Sequence, residues 1–490
     1  MWLILLVSVI GAEPEVQPPA FFAGNEELHA YLMEAAENHP GLHARHAEWL
    51  AALEKIPQVT ALDNPQFTYS YFVRSEESQY RVGLMQMFPW FGTLRARGDA
   101  AVSEAEAALQ RFYAERNTLF TDVKRAYFEY AYLSENFRVT QGQVELLQYM
   151  EETVRTKYAL GLATEDELLR VQMEQSAIQD RLKELAQFRP ALAARLTTAL
   201  GRDNAEPPEW PEPCGLPPAP PEPAAVLARV RGANPEVRVM DHVIDARAAE
   251  IRLAKKMGYP EFTLGVEFEE MKNMPPMMDK TTATLEAAGA ANSLLTGMAA
   301  NPFEAAMNVN SLAQYDRFVT GKEPDDDLMV SLTLSLPVWR KKVKAGIAEA
   351  RQMKSAAEHE KQRVILSLEE ATRMAYFEMQ DAQRRYSLYA DDLLPKARLA
   401  YESLQVSYAT SAGADFLDLL QSVQTLLNFE LEQVRAVRDV QQASARLESL
   451  MGGPWMESGD SAALAGDDLL SDKAKFPITV KRNGDGNTEG

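Results

Sequence analysis

The chain has 490 residues, with 71 acidic against 50 basic side chains and a net charge of −21. Its 46 % hydrophobic and 25 % charged residues are ordinary for a folded protein, and its acidity argues against binding a phosphate backbone. The single cysteine, Cys214, excludes an intrachain disulfide, and with only six histidines it argues against structural zinc. Beyond the first dozen residues there is no apolar run of about 18 residues, so no helical membrane span is expected. A β-barrel span stays open, because its signal per strand is weak.

Residues 1–12, MWLILLVSVIGA, form a short apolar run ending in Gly11 and Ala12. It reads as a signal peptide removed after export, with a buried strand as the alternative, since no Lys or Arg precedes it. No cysteine follows the run to carry a lipid anchor. A helix is expected over about 26–57. From Gln66 to Phe88 the pattern alternates: Phe67, Tyr69, Tyr71 and Val73 face one side, Gln66, Thr68, Ser70 and Arg74 the other. Tyr80, Val82, Leu84 and Phe88 continue on a second strand after a polar turn at 75–79. Residues 92–158 then contain no proline, which predicts one helix of about 100 Å at 1.5 Å per residue. A shorter helix is expected at 163–200.

Nine prolines between Pro207 and Pro223 make residues 202–223 an extended linker. The pattern then resumes, with a helix at 224–257 and a second hairpin at about 261–336. Phe262, Leu264, Val266 and Phe268 oppose Thr263, Gly265, Glu267 and Glu269, and Leu328 to Leu336 alternate with Ser331, Thr333 and Ser335. A long insertion, 270–326, lies inside this hairpin. Residues 340–408, with Pro395 as their one proline, predict a second long helix, and 414–451 a final short one. After Gly453 the periodicity fades into a Gly-, Asp- and Ser-rich tail, 453–490, expected to be disordered.

The two halves are copies. HP at 39–40 matches NP at 234–235, PQFTYSYF at 65–72 matches PEFTLGVEF at 260–268, and FPWFG at 88–92 matches LPVWR at 336–340. AYFE recurs at 126–129 and 375–378, and KYALGLATEDELL at 157–169 matches SYATSAGADFLDLL at 407–420. LG at 200–201 matches MG at 451–452, so the order holds throughout. The expected domains are a first repeat at 13–201 and a second at 224–452. Each is helix, hairpin, long helix, helix. In each repeat two short helices stacked end to end would match the long one. Apolar-polar alternation over about nine residues fits a membrane strand, or equally a soluble sheet with one wet face. Four strands cannot close a barrel, and open edges cannot sit in lipid. A membrane sheet of this kind would therefore need several copies of the chain.

This ordered set resembles the TolC-like outer-membrane efflux protein family over roughly residues 26–452. The strand exits Pro89–Trp90–Phe91 and Pro337–Val338–Trp339 and the two Tyr-x-x-Gly…Leu-Leu turns contribute to the resemblance. It implies a mainly α fold with transmembrane β-strands: a homotrimer with a 12-stranded outer-membrane barrel on a periplasmic helical barrel. It further implies a periplasmic adaptor (membrane fusion) protein and an inner-membrane pump as partners, and export of drugs, metal ions or proteins. By position, Tyr158, Gly161, Tyr408 and Gly413 fall at the periplasmic tips that meet the adaptor. Asp418 falls at the tunnel constriction, with Gln421 where a second Asp is frequent. Phe67, Tyr69, Tyr71, Phe262 and Leu264 would face lipid. The competing reading is a soluble periplasmic coiled-coil adaptor or scaffold.

Other candidate chemistry is sparse. His39, His43 and His46 share a helical face at i, i+4 and i+7, but no carboxylate completes a zinc motif, and a plain helix face is expected. Met271, Met274, Met277, Met278, Met298 and Met307 in the insertion could suit soft ions, although an adaptable loop is the expected role. Asp325, Asp326 and Asp327 read as a solvated rim, and Cys214 among prolines as unreactive. No nucleophile elbow, phosphate loop or dinucleotide fingerprint occurs, so neither catalysis nor a cofactor or metal site is expected. An acidic tube would favour cations.

Overall fold

A computed structural model describes residues 26–74, 78–202, 207–211, 215–271, 326–409 and 415–453. The expectations for the 1–12 run, Cys214, most of the insertion, Gly413 and the tail beyond Gly453 lie outside these residues. In the first repeat the described elements are α1 (Glu26–Asn38), α2 (Pro40–Thr60), β1 (Gln66–Tyr71), β2 (Ser78–Phe88), α3 (Thr93–Ala159) and α4 (Glu165–Ala199). The second repeat has α5 (Pro223–Ala233), α6 (Pro235–Lys256), β3 (Glu261–Met271), β4 (Asp327–Ser335), α7 (Arg340–Ser387), α8 (Leu394–Ala409) and α9 (Phe416–Leu450). A single π-helical turn, Leu388–Leu393, joins α7 to α8.

Three expected helices are interrupted, each next to a proline. The 26–57 helix breaks at His39 and the 224–257 helix at Asn234, just before Pro40 and Pro235. Proline lacks the N–H a helix interior needs and pushes the preceding residue out of the helical region, yet it opens a new helix well. Asn234 is extended and its side chain accepts from the Glu236 N–H at 2.8 Å. The third interruption, in the 340–408 helix, is the π turn just ahead of Pro395. Pro223 begins α5, so the irregular linker ends at Glu222.

The chain divides into two compact units. One comprises Met1–Ala47, Leu109–Arg238 and Gln362–Gly490. Its core repeats itself. Leu32 and Ala35 of α1 pack with Ala126 and Tyr130 of α3 and with Leu196 and Leu200 at the end of α4. Val226 and Val230 of α5 pack with Ala375 and Met379 of α7 and with Leu447 and Met451 at the end of α9. Ala126 and Ala375, Leu196 and Leu447, and Leu200 and Met451 are equivalent positions in the duplication. Each cluster closes on the same backbone contact. Gly201 and Gly452 sit at φ +72° and +78°, and a Cβ on either would meet the carbonyl oxygen of Asn38 or of Ala233, at 2.9 and 2.6 Å. Only glycine serves both the left-handed conformation and that approach. Between the repeats, Lys124 of α3 and Glu448 of α9 form a buried ion pair at 2.5 Å. Burial pushes the Lys124 pKa down and that of Glu448 up, against their mutual attraction.

The linker lies on this unit. Trp210 stacks on Tyr130 at 5.3 Å, and the Arg189 guanidinium lies 4.2 Å from the Trp210 ring centre. Tyr130 and Arg189 both donate to the Pro208 carbonyl.

The second unit comprises Glu48–Ala108 and Val239–Lys361 and contains the sheet. The four strands run antiparallel in the order β1-β2-β3-β4. Ile56 of α2 and Ala101 and Ala105 of α3 form a small core in this unit. The ion pairs Lys55–Glu104 and Arg252–Asp99, both at 2.9 Å, also belong to it.

Candidate functional site

Two features carry the chemistry: the faces of the sheet, and the turn after α3 together with the last residues of α8. The register aligns Phe67 with Leu84, Leu84 with Val266, and Val266 with Val330. One sheet face therefore carries Phe67, Tyr69, Tyr71, Tyr80, Val82, Leu84, Phe88, Phe262, Leu264, Val266, Phe268 and the even-numbered β4 residues Leu328 to Leu334. Phe67 is 68 % exposed and Tyr69 58 %, so this apolar face is bare. Phe262 is half-buried, because it stacks on Phe88 at 5.4 Å. At the strand ends Trp90 stacks on Tyr259 at 5.3 Å, and Phe91 and Trp339 are exposed. Apolar strands rimmed by aromatic rings match what a bilayer and its interface select.

The opposite face is polar. It holds Gln66, Thr68, Ser70, Thr263, Ser331, Thr333 and the pair Arg81–Glu269 at 2.6 Å. Strands β1 and β4 leave their outer edges unpaired among the described residues. Asp326 and Asp327 are exposed, at the start of β4.

At the other feature, α3 ends at Ala159 and Gly161 takes φ +73°, while the Leu162 N–H donates to the Lys157 carbonyl at 2.8 Å. Thr164 then caps α4, with Glu167 completing a reciprocal capping box. The two tip tyrosines differ. Tyr158 is exposed. Tyr408 is half-buried, and its hydroxyl donates to Glu167 Oε2 at 2.9 Å. Burial, and then the Glu167 carboxylate, push its phenol well above the ordinary range. Lys157 donates to the Tyr408 carbonyl and its Nζ lies 3.7 Å from the ring centre. Tyr408 thus ties α8 of the second repeat to α3 and α4 of the first. Sequence reasoning missed Lys157 and Glu167, although Thr164-x-x-Glu167 is a readable capping box.

Asp418 lies in the first turn of α9, exposed, where its charge suits the helix dipole. Gln421 is exposed three residues on, on the face turned away from Phe416, Leu419 and Val423. Beneath the tip those residues pack with Leu147, Val154 and Val171. Of the three histidines on the expected helix face, His43 and His46 lie on α2, and His39 stands at the break, its carbonyl accepting from the Leu42 and His43 N–H groups. His43 Nε2 contacts the Glu37 carbonyl at 2.7 Å, and His46 meets Phe112 edge-on. Among the described residues no group of three His, Cys, Asp or Glu could hold a metal, and no helix is long and apolar enough to cross a membrane.

The profile of the outer membrane efflux protein family matches residues 31–202 and 226–453. The chain belongs to the outer membrane efflux protein family. Like the rest of that family it is an outer-membrane channel protein with a periplasmic helical extension, and not an enzyme. The family sets aside the soluble adaptor as an alternative. The chain is similar to the pyoverdine export outer membrane protein OpmQ of Pseudomonas putida, at 22 % identity over 378 residues, 75 % of this chain and 68 % of the relative. Its fold is that of solved efflux-family channels. The outer membrane protein VceC of Vibrio cholerae aligns with a TM-score of 0.66 at 16 % identity, over 88 % of this chain and 98 % of that one. CusC aligns with a TM-score of 0.67 at 13 % identity, over 90 % and 99 %.

Proposed function

We propose that three copies of this chain form one exit duct of a tripartite efflux system. Each would lend four strands to a 12-stranded barrel in the outer membrane and its helices to a periplasmic tunnel. The observation that carries the reading is the sheet: a bare apolar face, a polar face and two edges unpaired among the described residues. In lipid those edges must be satisfied by further strands.

The duplication supplies independent support. Leu366, Phe377, Leu388 and Leu399 recur every eleven residues along α7, the π turn and α8, and all are exposed. The first-repeat counterparts of Phe377 and Leu388 are Phe128 and Val139, both buried in cores to which α9 contributes. The first-repeat equivalent of α9 is α4, so α4 of a neighbouring copy is the natural cover for the bare α7 stripe. The tips around Tyr158, Gly161, Tyr408 and Gly413 would meet a periplasmic adaptor coupled to an inner-membrane pump. Asp418 and Gln421 would narrow the tunnel. The domain plan is a signal at 1–12, repeats at 13–201 and 223–452, a linker at 202–222 and a tail at 453–490.

The cargo class is small molecules, drugs or metal ions; the export role in the name of OpmQ favours a small molecule. Detergent-purified protein should run as a trimer, conduct in planar bilayers and prefer cations in a salt gradient. A water-soluble monomer without conductance would overturn the proposal.

A further inference from the structure

The two ends of the sheet carry opposite charge. Glu269 and Glu270 at the end of β3 lie beside Asp326 and Asp327 at the start of β4. At the other end, where the strands meet the helices, the charge is basic. α7 opens with Arg340, Lys341, Lys342 and Lys344, and no acid follows Trp339 before Glu349. α3 opens with Arg95 and Arg97, and α6 ends on Lys255 and Lys256 just before β3. These eight bases are gathered in a chain of net charge −21. The acids nearest in sequence to the strand ends there are Asp63 and Glu261, while Asp99 is held by Arg252. Positive charge is disfavoured at a helix N-terminus. α1, α4, α6 and α9 carry acids in their first turns, whereas α3 and α7, which leave the sheet, carry bases there and no acid. None of the eight has an acidic partner among the described residues.

Rings connect these bases to the bare apolar face. Phe88 and Phe262, both on that face, stack at 5.4 Å. Phe262 lies 6.3 Å from Phe91, Phe91 meets Trp90 edge-on at 5.8 Å, and Trp90 stacks on Tyr259 at 5.3 Å. Lys256 Nζ then lies 5.6 Å from the centre of the Tyr259 ring. A Cβ on Gly258 would lie 3.1 Å from Val343 Cγ1, so the basic start of α7 packs against the turn that follows the basic end of α6. Apolar strand, aromatic rim and ammonium groups follow one another in the order of a bilayer: hydrocarbon, interface, headgroup.

We propose that this basic belt binds the headgroups of anionic phospholipids in the leaflet that faces the periplasm. The lipid phosphate supplies the negative charge that the chain itself leaves out, and the acyl chains lie along the adjoining apolar face. A free phosphate would meet the same bases and make no use of the rings beside them. The proposal rests on the reading that the sheet lies in the outer membrane, and it does not require the trimer.

The test is quenching of tryptophan fluorescence by brominated lipids in vesicles that hold the full chain, since Trp90 and Trp339 stand at the strand exits. Brominated phosphatidylglycerol is titrated against phosphatidylcholine, and brominated phosphatidylcholine alone gives the reference. At low salt the preference for phosphatidylglycerol should be about fivefold or more, the factor that one base near an anionic surface supplies, and it should shrink at high salt. Changing Lys255, Lys256, Lys341 and Lys342 together to Gln should bring the preference to about one. The same four changed to Arg should keep it, which separates charge from packing. Arg155→Gln with Arg170→Gln, near the tip, should leave it unchanged. Unchanged quenching by brominated phosphatidylcholine establishes that the Gln variant is folded and inserted. Strong quenching by both lipids without preference would overturn the proposal and leave the membrane reading standing, whereas no quenching by either would overturn both. Abolition of the preference by inorganic phosphate, but not by sulfate at equal ionic strength, would also overturn it, by making the belt a site for free phosphate.

Discussion

The two long helices descend from one sequence and differ in one turn. α3 runs unbroken from Thr93 to Ala159, whereas its counterpart widens into a π turn at Leu388–Leu393. Ala126 lies 249 residues before Ala375, and Tyr158 lies 250 before Tyr408, so one residue was added between those marks. A π turn absorbs a single inserted residue. Pro395 sits just beyond it, with no N–H to offer the Asp391 carbonyl and a ring that would crowd that group. The Leu394 N–H instead donates to Tyr389. None of the six π residues is buried. The first long helix is thus continuous, and the second carries a π turn between the Ala375–Met379 core and the tip.

The largest effect expected from comparing the repeats concerns the buried pair. Lys124 and Glu448 join α3 to α9, while their counterparts Arg373 and Thr197 are an exposed cation and a buried hydroxyl. Lys124→Met strands the Glu448 carboxylate and should cost about 3–5 kcal/mol, read as a fall in the thermal midpoint. Adding Glu448→Leu should recover most of that loss. An unchanged midpoint in the single variant would mean the pair is solvated in the assembly.

The two sheet faces form the next contrast. Leu332→Arg, on the bare apolar face, should cost about 2–4 kcal/mol near the bilayer midplane. Ser331→Arg, one residue away on the polar face, should leave folding intact and lower cation selectivity. Both follow from refolding in lipid and from reversal potentials. Equal tolerance of the two substitutions would place the sheet outside lipid.

The π turn is tested by removing it. Deleting Ala390 together with Pro395→Ala restores plain α geometry, and relieving the proline should raise stability by up to about 3 kcal/mol. The same variant should open less often in bilayers. Greater stability with unchanged opening would make the turn a scar of insertion and not a joint.

How much of this was legible in the sequence depended on range. The strands and their faces were read directly, because period two exposes them residue by residue. Pro40 and Pro235 were equally visible, but a helix of uniform apolar spacing hid the breaks they cause. The π turn needed the comparison of repeat spacings, because an inserted residue leaves no mark in composition. The Lys124–Glu448 pair spans 324 positions and had no local signal. Gly201 and Gly452 were read as a repeated dipeptide, and only the fold gave the reason: each lets a helix end touch a backbone carbonyl.

The smallest contrast separates the two tip tyrosines. Tyr158 and Tyr408 are equivalent by duplication, yet Tyr408 alone reaches across to the other repeat, through Glu167 and Lys157. Tyr408→Phe keeps the ring over Lys157 and deletes the bond to a charged acceptor, a loss of about 1.5–3 kcal/mol when such bonds are shielded. Half-burial of Tyr408 places the expected cost at the lower end. Tyr158→Phe removes an exposed hydroxyl and should be neutral. If the Tyr408 link restrains α8 and α9 against α3 and α4, Tyr408→Phe should raise single-channel open probability, and Tyr158→Phe should not. Equal behaviour of the two variants in bilayers would make the link a fastening of the resting fold with no part in opening.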